Sequence, residues 1–194
     1  WTSALRECGD PKCSLNRLAR NRPRQESPRG RFCALVVESM AHSVRLAVTQ
    51  TPVRYVSVGA GKALFDFELL AAMQHRGLQI ECVALVDTAY GEFNVDLAAP
   101  RQLARFFAPA NVYVFSSLRA LMLNAEKEPV LFGRFNTYVH CDASDISEAD
   151  SRAAADACLA PDGMGFELQN SEMPRASSWR RGDPIGRCES VAYY

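Results

Sequence analysis

The sequence predicts a three-layer α/β fold: a mostly parallel central sheet of at least five strands, flanked by helices. Three observations predict it. From residue 53 onward, short strand-like apolar runs alternate with segments of helical period, and strands joined through helices lie parallel with right-handed crossovers. The second run, Ile80 to Val86, is almost continuously apolar, as a strand buried on both faces should be. The ends of the first four runs carry Gly59, Asp87, Ser116 and Asp142, the edge at which such sheets gather ligands.

Each element has its own signature. Residues 1–30 are polar and arginine-rich, contain Pro23 and Pro28, and read as a basic, flexible leader. A helix is expected over 31–50, with Ser27 as N-cap and Pro28 in its first turn. Phe32, Leu35, Val36, Met40, Val44 and Ala47 recur there at three-and-four spacing, and Thr51-Pro52 ends the pattern. Val53 to Val58 is the first strand, closed by Gly59-Ala60-Gly61. A helix over 65–76, through Phe65, Leu69, Ala72 and Met73, stops at Gly77. The second strand ends at Asp87, and a helix around Pro100 to Phe107 offers Leu103, Phe106 and Phe107 as its buried stripe. Tyr90, in the loop between, either lines a pocket or packs locally.

Val112 to Phe115 is the third strand, running through Ser116-Ser117 into a helix with Leu118, Leu121, Met122 and Ala125 inward. Tyr138 to His140 is the fourth, ending near Asp142; His140 reads as a core histidine. Ser147 with Asp150 forms a capping pattern for an alanine-rich helix through 159. Pro161-Asp162-Gly163 reads as a tight turn before the fifth strand, Met164 to Leu168. The main domain thus spans 31–170. Residues 171–194 read as an irregular tail, in which Cys188 to Tyr194 offers a short final strand.

Composition narrows the function classes. With 48% hydrophobic and 23% charged residues among 194, the chain can bury a real core, and disorder throughout is excluded. The net charge is zero, yet residues 1–31 hold eight basic side chains against three acidic ones, leaving −5 on the rest. That leader offers a surface to nucleic acid, but a basic footprint over the whole domain is missing, so nucleic acid is not indicated as a partner. The seven cysteines are odd in number and scattered, which reads as reduced thiols in an intracellular protein, with Cys82 and Cys158 acting as small apolar residues. Cys8 and Cys13 lack a zinc-site spacing and only three histidines exist, so no metal is expected. No apolar run approaches the ~20 residues of a membrane span. The first residue is Trp1 and no signal-peptide pattern follows, so a trimmed, cytoplasmic chain is expected, with no protein partner indicated.

The candidate site follows from the strand ends. Glycine at 59 and 61 permits backbone angles closed to other residues and lets the main chain approach a ligand. Asp87 stands where ribose hydroxyls would be accepted, with Ser116 and Asp142 beside it. Lys62 does not make a phosphate loop, because Ala63 follows it and no glycine lies five positions before Gly61. Val56-Ser57-Val58-Gly59-Ala60-Gly61 resembles the glycine-rich first motif of class I S-adenosylmethionine-dependent methyltransferases. Asp87 matches that family's acidic residue after strand two, and Ala157 to Met164 resembles its turn into strand five.

The resemblance covers residues 53–170 and implies a Rossmann-like fold, S-adenosylmethionine as the nucleoside-type cofactor, and a site of Ser57, Gly59, Ala60, Gly61, Asp87, Ser116 and Asp142. It departs from the family at Ser57, where an acid is usual, and at Ala63, where a third glycine is frequent. Gly59 and Asp87 stand 28 positions apart, against the ~20 of a dinucleotide fingerprint. Strands six and seven of the family's sheet are not evident. The implied chemistry is in-line methyl transfer, which rests on alignment and needs no conspicuous base. A methyltransferase-like module without catalysis is the alternative. A nicotinamide-dependent oxidoreductase fits less well, given Ala63 and the long gap to Asp87.

Overall fold

A computed structural model of the chain describes residues 4–7, 13–19, 22–46, 51–91, 97–141, 146–171, 173–184 and 189–192. Among them run seven strands: β1 Val53–Val58, β2 Ile80–Val86, β3 Asn111–Phe115, β4 Phe135–Cys141, β5 Leu159–Leu168, β6 Arg175–Arg180 and β7 Glu189–Ala192. Seven helices accompany them: α1 Ser14–Ala19, α2 Pro28–Leu46, α3 Leu64–His75, α4 Ala98–Phe106, α5 Leu118–Lys127, α6 Pro129–Phe132 and α7 Glu148–Cys158. One sheet holds all the strands in the order β3-β2-β1-β4-β5-β6-β7. β1 to β5 are mutually parallel, whereas β6 and β7 fold back antiparallel. The chain winds outward from β1 on one side and from β4 on the other. The crevice above the β1–β4 boundary is therefore the topological switch point.

The alternation of the strands sorts two cores. Val53, Tyr55, Val83, Leu85, Val139 and Phe166 face α2, α3 and α4, burying Phe32, Val36, Met40, Leu69, Leu70, Met73 and Leu103. Val56, Val58, Ala84 and Tyr138 face the other way, onto Leu121 of α5, Phe132 of α6 and Ala154, Ala155 and Cys158 of α7. This is the three-layer arrangement the sequence predicts. Burial pushes the Cys158 thiol up to about 12 and that of Cys82 to about 11, so both act as the small apolar residues expected.

The punctuation also behaves as read. Ser27 Oγ accepts from Gly30 N at 3.1 Å at the start of α2. Gly77 takes φ 82°, and Leu78 N reaches back to Met73 O at 3.1 Å, closing α3. Ser147 Oγ accepts from Asp150 N at 3.1 Å and donates to the Asp150 carboxylate at 2.7 Å. Replacing Ser147 with alanine will leave Asp150 N without its cap, and chemical denaturation should report a loss of about 1 kcal/mol. A loss below a tenth of that would mean that water caps α7 equally well.

Four expectations need correction. Residues 171–187 are not all loop: β6 pairs with β5 from Leu168↔Ala176 to Met164↔Arg180. With β7, it completes a seven-stranded sheet where strands six and seven had not been evident. Pro161-Asp162-Gly163 is no turn before β5 but an excursion inside it, because Phe135 pairs with Leu159 while Thr137 pairs with Met164. The leader is not uniformly detached: Leu5, Cys13 and Leu15 are buried in the α2–α3–α4 core, and residues 14–19 form α1. Phe106 is 60% exposed rather than buried, although its ring meets those of Phe67 and Phe107 edge-on. No helix among the described residues is long and apolar enough to cross a membrane.

Candidate functional site

The glycine turn sits at the switch point. Gly59 and Gly61 take φ of 77° and 50°, the left-handed region that a Cβ disfavours. Ala63 takes φ 54° as well, so the position where the resembled family often has glycine demands that conformation here too. Gly59 N and Ala60 N both donate to Val86 O, at 2.9 and 3.3 Å, which draws the turn against the end of β2.

Asp87 is the latch of this turn. One carboxylate oxygen accepts from Gly61 N at 2.8 Å and the other from Ala89 N at 2.8 Å. Tyr90, buried, donates its hydroxyl to Gly61 O at 2.7 Å, so the turn is held from both sides of its peptide chain. Tyr90 packs locally and shapes the wall; it does not line the cavity.

A pocket of about 380 Å³ opens at this edge, within the range of small-molecule sites. Ser57, Gly59, Ala60, Gly61, Asp87 and Ser116 all line it. Asp142 lies outside the described residues. Ser117 also lines it, but its hydroxyl accepts from Ala120 N at 3.2 Å as the cap of α5. Phe65, Leu118 and Ile146 give apolar sides. His140 does not line the pocket. It is buried on the α7 side, 3.7 Å from the Glu167 carboxylate, whose titration burial and the charge of Glu148 push upward.

Sequence reasoning missed two groups of lining residues. The first is the leader: Ala4 N donates to Gln102 Oε1 at 2.8 Å, Leu5 is buried, and Arg6 pairs with the glycine turn through a bridge to Ala63. Arg6 and Glu7 thereby wall the pocket, and Glu7 is bridged by Arg24 at 2.7 Å and by Arg29 at 3.0 Å. Arginine count in a polar stretch carried no hint of this. The second is Asp66, in the first turn of α3. Its carboxylate accepts from the Tyr55 hydroxyl at 2.7 Å and is hydrogen-bonded to Ser57, with both hydroxyls on β1. Ser57, where an acid had been missed, thus has the acid of α3 against it. The sequence offers only its place, an aspartate between Phe65 and Phe67 on the helix that follows the glycine turn, which does not tell which way the acid faces.

No protein-family model matches the sequence, and no curated protein is similar to it. Solved structures do match the fold. The CMeT domain of the citrinin polyketide synthase superposes with a TM-score of 0.50 at 17% identity, over 71% of this chain and 35% of that one. The DszA carbon methyltransferase does so at 0.50 and 15% identity, over 72% of this chain and 35% of that one. This chain therefore spans about a third of their length. At such identities the likeness establishes the architecture alone: the chain has the Rossmann-like fold in which these methyltransferase structures are built.

Proposed function

We propose that the chain is an S-adenosylmethionine-binding, methyltransferase-like protein whose cofactor site is Ser57, Gly59, Ala60, Gly61, Asp87 and Ser116, joined by Asp66. The carrying observation is the glycine turn itself, in left-handed geometry at the switch point, latched by Asp87 and opening onto a pocket of small-molecule size. The lining suits the ligand: exposed main chain beside the turn, carboxylates for polar groups, and Phe65, Leu118 and Ile146 for a flat base. S-adenosylmethionine would supply a sulfonium methyl group. The chain's contribution would be to hold the donor in line with an acceptor and keep water away. Arg6 and Arg29 line the pocket, which supports a small ligand rather than nucleic acid as their partner. The odd number of scattered cysteines supports a reducing, cytoplasmic setting.

One observation favours a second reading. Both Asp87 oxygens and the Ser117 hydroxyl are already engaged within the chain, as they would be in a fold kept as a binding module without a methyl donor. Calorimetric titration with S-adenosylmethionine, S-adenosylhomocysteine and a nicotinamide dinucleotide separates the readings. Saturable heat with the first two and none with the third is the expected result, and it justifies an acceptor screen. No heat with any, in protein shown to be folded, overturns the proposal in favour of the module.

A further inference from the structure

Three basic residues line the pocket, Arg6, Arg29 and Lys62, and none of them belongs to the proposed cofactor site. Arg29, in the first turn of α2, is set in the wall with its side chain only 11% exposed. The leader orients its guanidinium: Nη1 donates to Glu7 Oε2 at 3.0 Å and to Asn16 Oδ1, and Nη2 to Cys13 Sγ at 3.6 Å. Glu7 lines the same pocket and is shared. Its other oxygen meets Arg24 at 2.7 Å, and Arg24 in turn reaches Glu68 at 2.5 Å. Arg6, next to Glu7 in the chain, is exposed, and among the described residues its side chain has no hydrogen bond or ion pair. The guanidinium groups of Arg6, Arg24 and Arg29 thus meet only the carboxylates of Glu7 and Glu68, and the positive surplus lies at the pocket, on Arg6.

We infer that Glu7 is a placeholder: the methyl acceptor is a small acid whose carboxylate or phosphate replaces Glu7 on Arg29, with Arg6 as the second cation. The inference rests on the reading under Proposed function and adds the class of acceptor. A carboxylate carried by the leader and laid on an oriented arginine inside a ligand pocket stands where a ligand's anionic group would stand. The exchange strands no charge. Glu7 released from Arg29 keeps Arg24, and Arg29 trades one anion for another while Asn16 and Cys13 still fix its direction. The Glu7 side chain is 36% exposed, and ion pairs of that exposure contribute little, so an outside anion that also meets Arg6 takes the place. The pocket's other acids do not compete for the arginines. Asp87 accepts from Gly61 N and Ala89 N, and Asp66 from the Tyr55 hydroxyl.

The test uses the full chain with saturating S-adenosylhomocysteine, and titrates benzoate and phenyl phosphate against benzamide, an uncharged counterpart, by protein NMR. Wild type should bind at least one of the anions ~10-fold or more tighter than benzamide, the worth of a charge-assisted hydrogen bond. Arg29→Gln should lose ~10- to 100-fold for that anion and Arg6→Gln ~3- to 10-fold, each with less than ~3-fold change for S-adenosylhomocysteine. Glu7→Gln should bind the anion ~3- to 10-fold tighter than wild type, because the occupant of Arg29 is gone. That gain separates a placeholder from a structural prop, whose loss would weaken binding. No preference for either anion over benzamide, or unchanged or weaker anion binding in Glu7→Gln, overturns the inference and leaves the nucleoside site standing. An equal fall of S-adenosylhomocysteine affinity in both arginine variants also overturns it, by assigning the arginines to the donor's own carboxylate. Wild type that does not bind S-adenosylhomocysteine overturns the cofactor reading, and the acceptor with it, while benzoate titrated without nucleoside separately decides the exchange at Arg29.

Discussion

Alanine at Gly165 is expected to cost about 3 kcal/mol of folding free energy and to lower the melting temperature by roughly 6–12 °C in a domain of this size. A Cβ built on Gly165 would stand 2.2 Å from Cε2, 2.3 Å from Cζ2 and 2.5 Å from Nε1 of Trp179, far inside any tolerated contact. Gly165 on β5 is the register partner of Trp179 on β6, so the indole lies across the glycine instead of beside a side chain. The ring has little room to withdraw. It is 3% exposed, the Arg152 guanidinium covers it at 3.8 Å, and Tyr138 lies 6.5 Å away. The added methyl must therefore push β6 away from β5 or expel the indole. Trp179→Ala alone should cost ~3–5 kcal/mol as a large-to-small core change. In the double variant the clash and the indole vanish together, so the combined loss should fall short of the sum by 1 kcal/mol or more. Strict additivity, or a Gly165→Ala protein that melts with wild type, would show that Trp179 does not hold the sheet's edge.

That edge is also where the sequence said least. β1, β2 and β4 announce themselves because all but one residue of each is buried, whereas β3, at the sheet's edge, is mostly half-buried and β5 is interrupted by its exposed Pro161-Asp162. β6 reads Arg-Ala-Ser-Ser-Trp-Arg, with Ala176 and Trp179 alone buried, so it carries neither an apolar run nor strict alternation. Its strand character comes from pairing with β5, a property of the folded sheet. The same holds for Leu5 and Leu15, two apolar anchors in a stretch whose arginines dominate any count.

In the site, the main-chain part was legible, since glycines after a strand have few other reasons to be there. The side-chain part was legible only as a roster of strand ends. Asp66 was hidden because an acid in a helix ordinarily faces water, and only the fold turns that face toward β1. Asp87 was found for its position, but its double engagement with Gly61 and Ala89 appears only when β2, the glycine turn and the Thr88–Tyr90 turn come together.

That double engagement makes Asp87→Ala the variant with the largest functional effect. If Asp87 only touched a ligand, its removal would weaken binding and leave the free protein as stable as before. The geometry argues otherwise. Alanine leaves Gly61 N and Ala89 N without their acceptor, at ~1–1.5 kcal/mol each, so the unliganded protein should lose about 2–3 kcal/mol and melt roughly 5–10 °C lower. Gly61 would be held only by Tyr90 and its own strained backbone, and the wall of the pocket would no longer be fixed. Affinity for S-adenosylmethionine should drop by at least ~100-fold, the sum of a lost ligand contact and the ordering that binding must then supply. Asparagine is not a rescue. Its amide oxygen can accept from one of the two N–H groups, but its NH₂ then opposes the other, so Asp87→Asn should recover at most half of the stability and little of the affinity. Parallel melting curves and titrations on wild type, Asp87→Ala and Asp87→Asn decide the matter. A lower melting temperature together with lost binding assigns Asp87 to both the turn and the ligand. An unchanged melting temperature with lost binding would leave it a ligand contact alone, and unchanged binding would move the ligand site away from the end of β2.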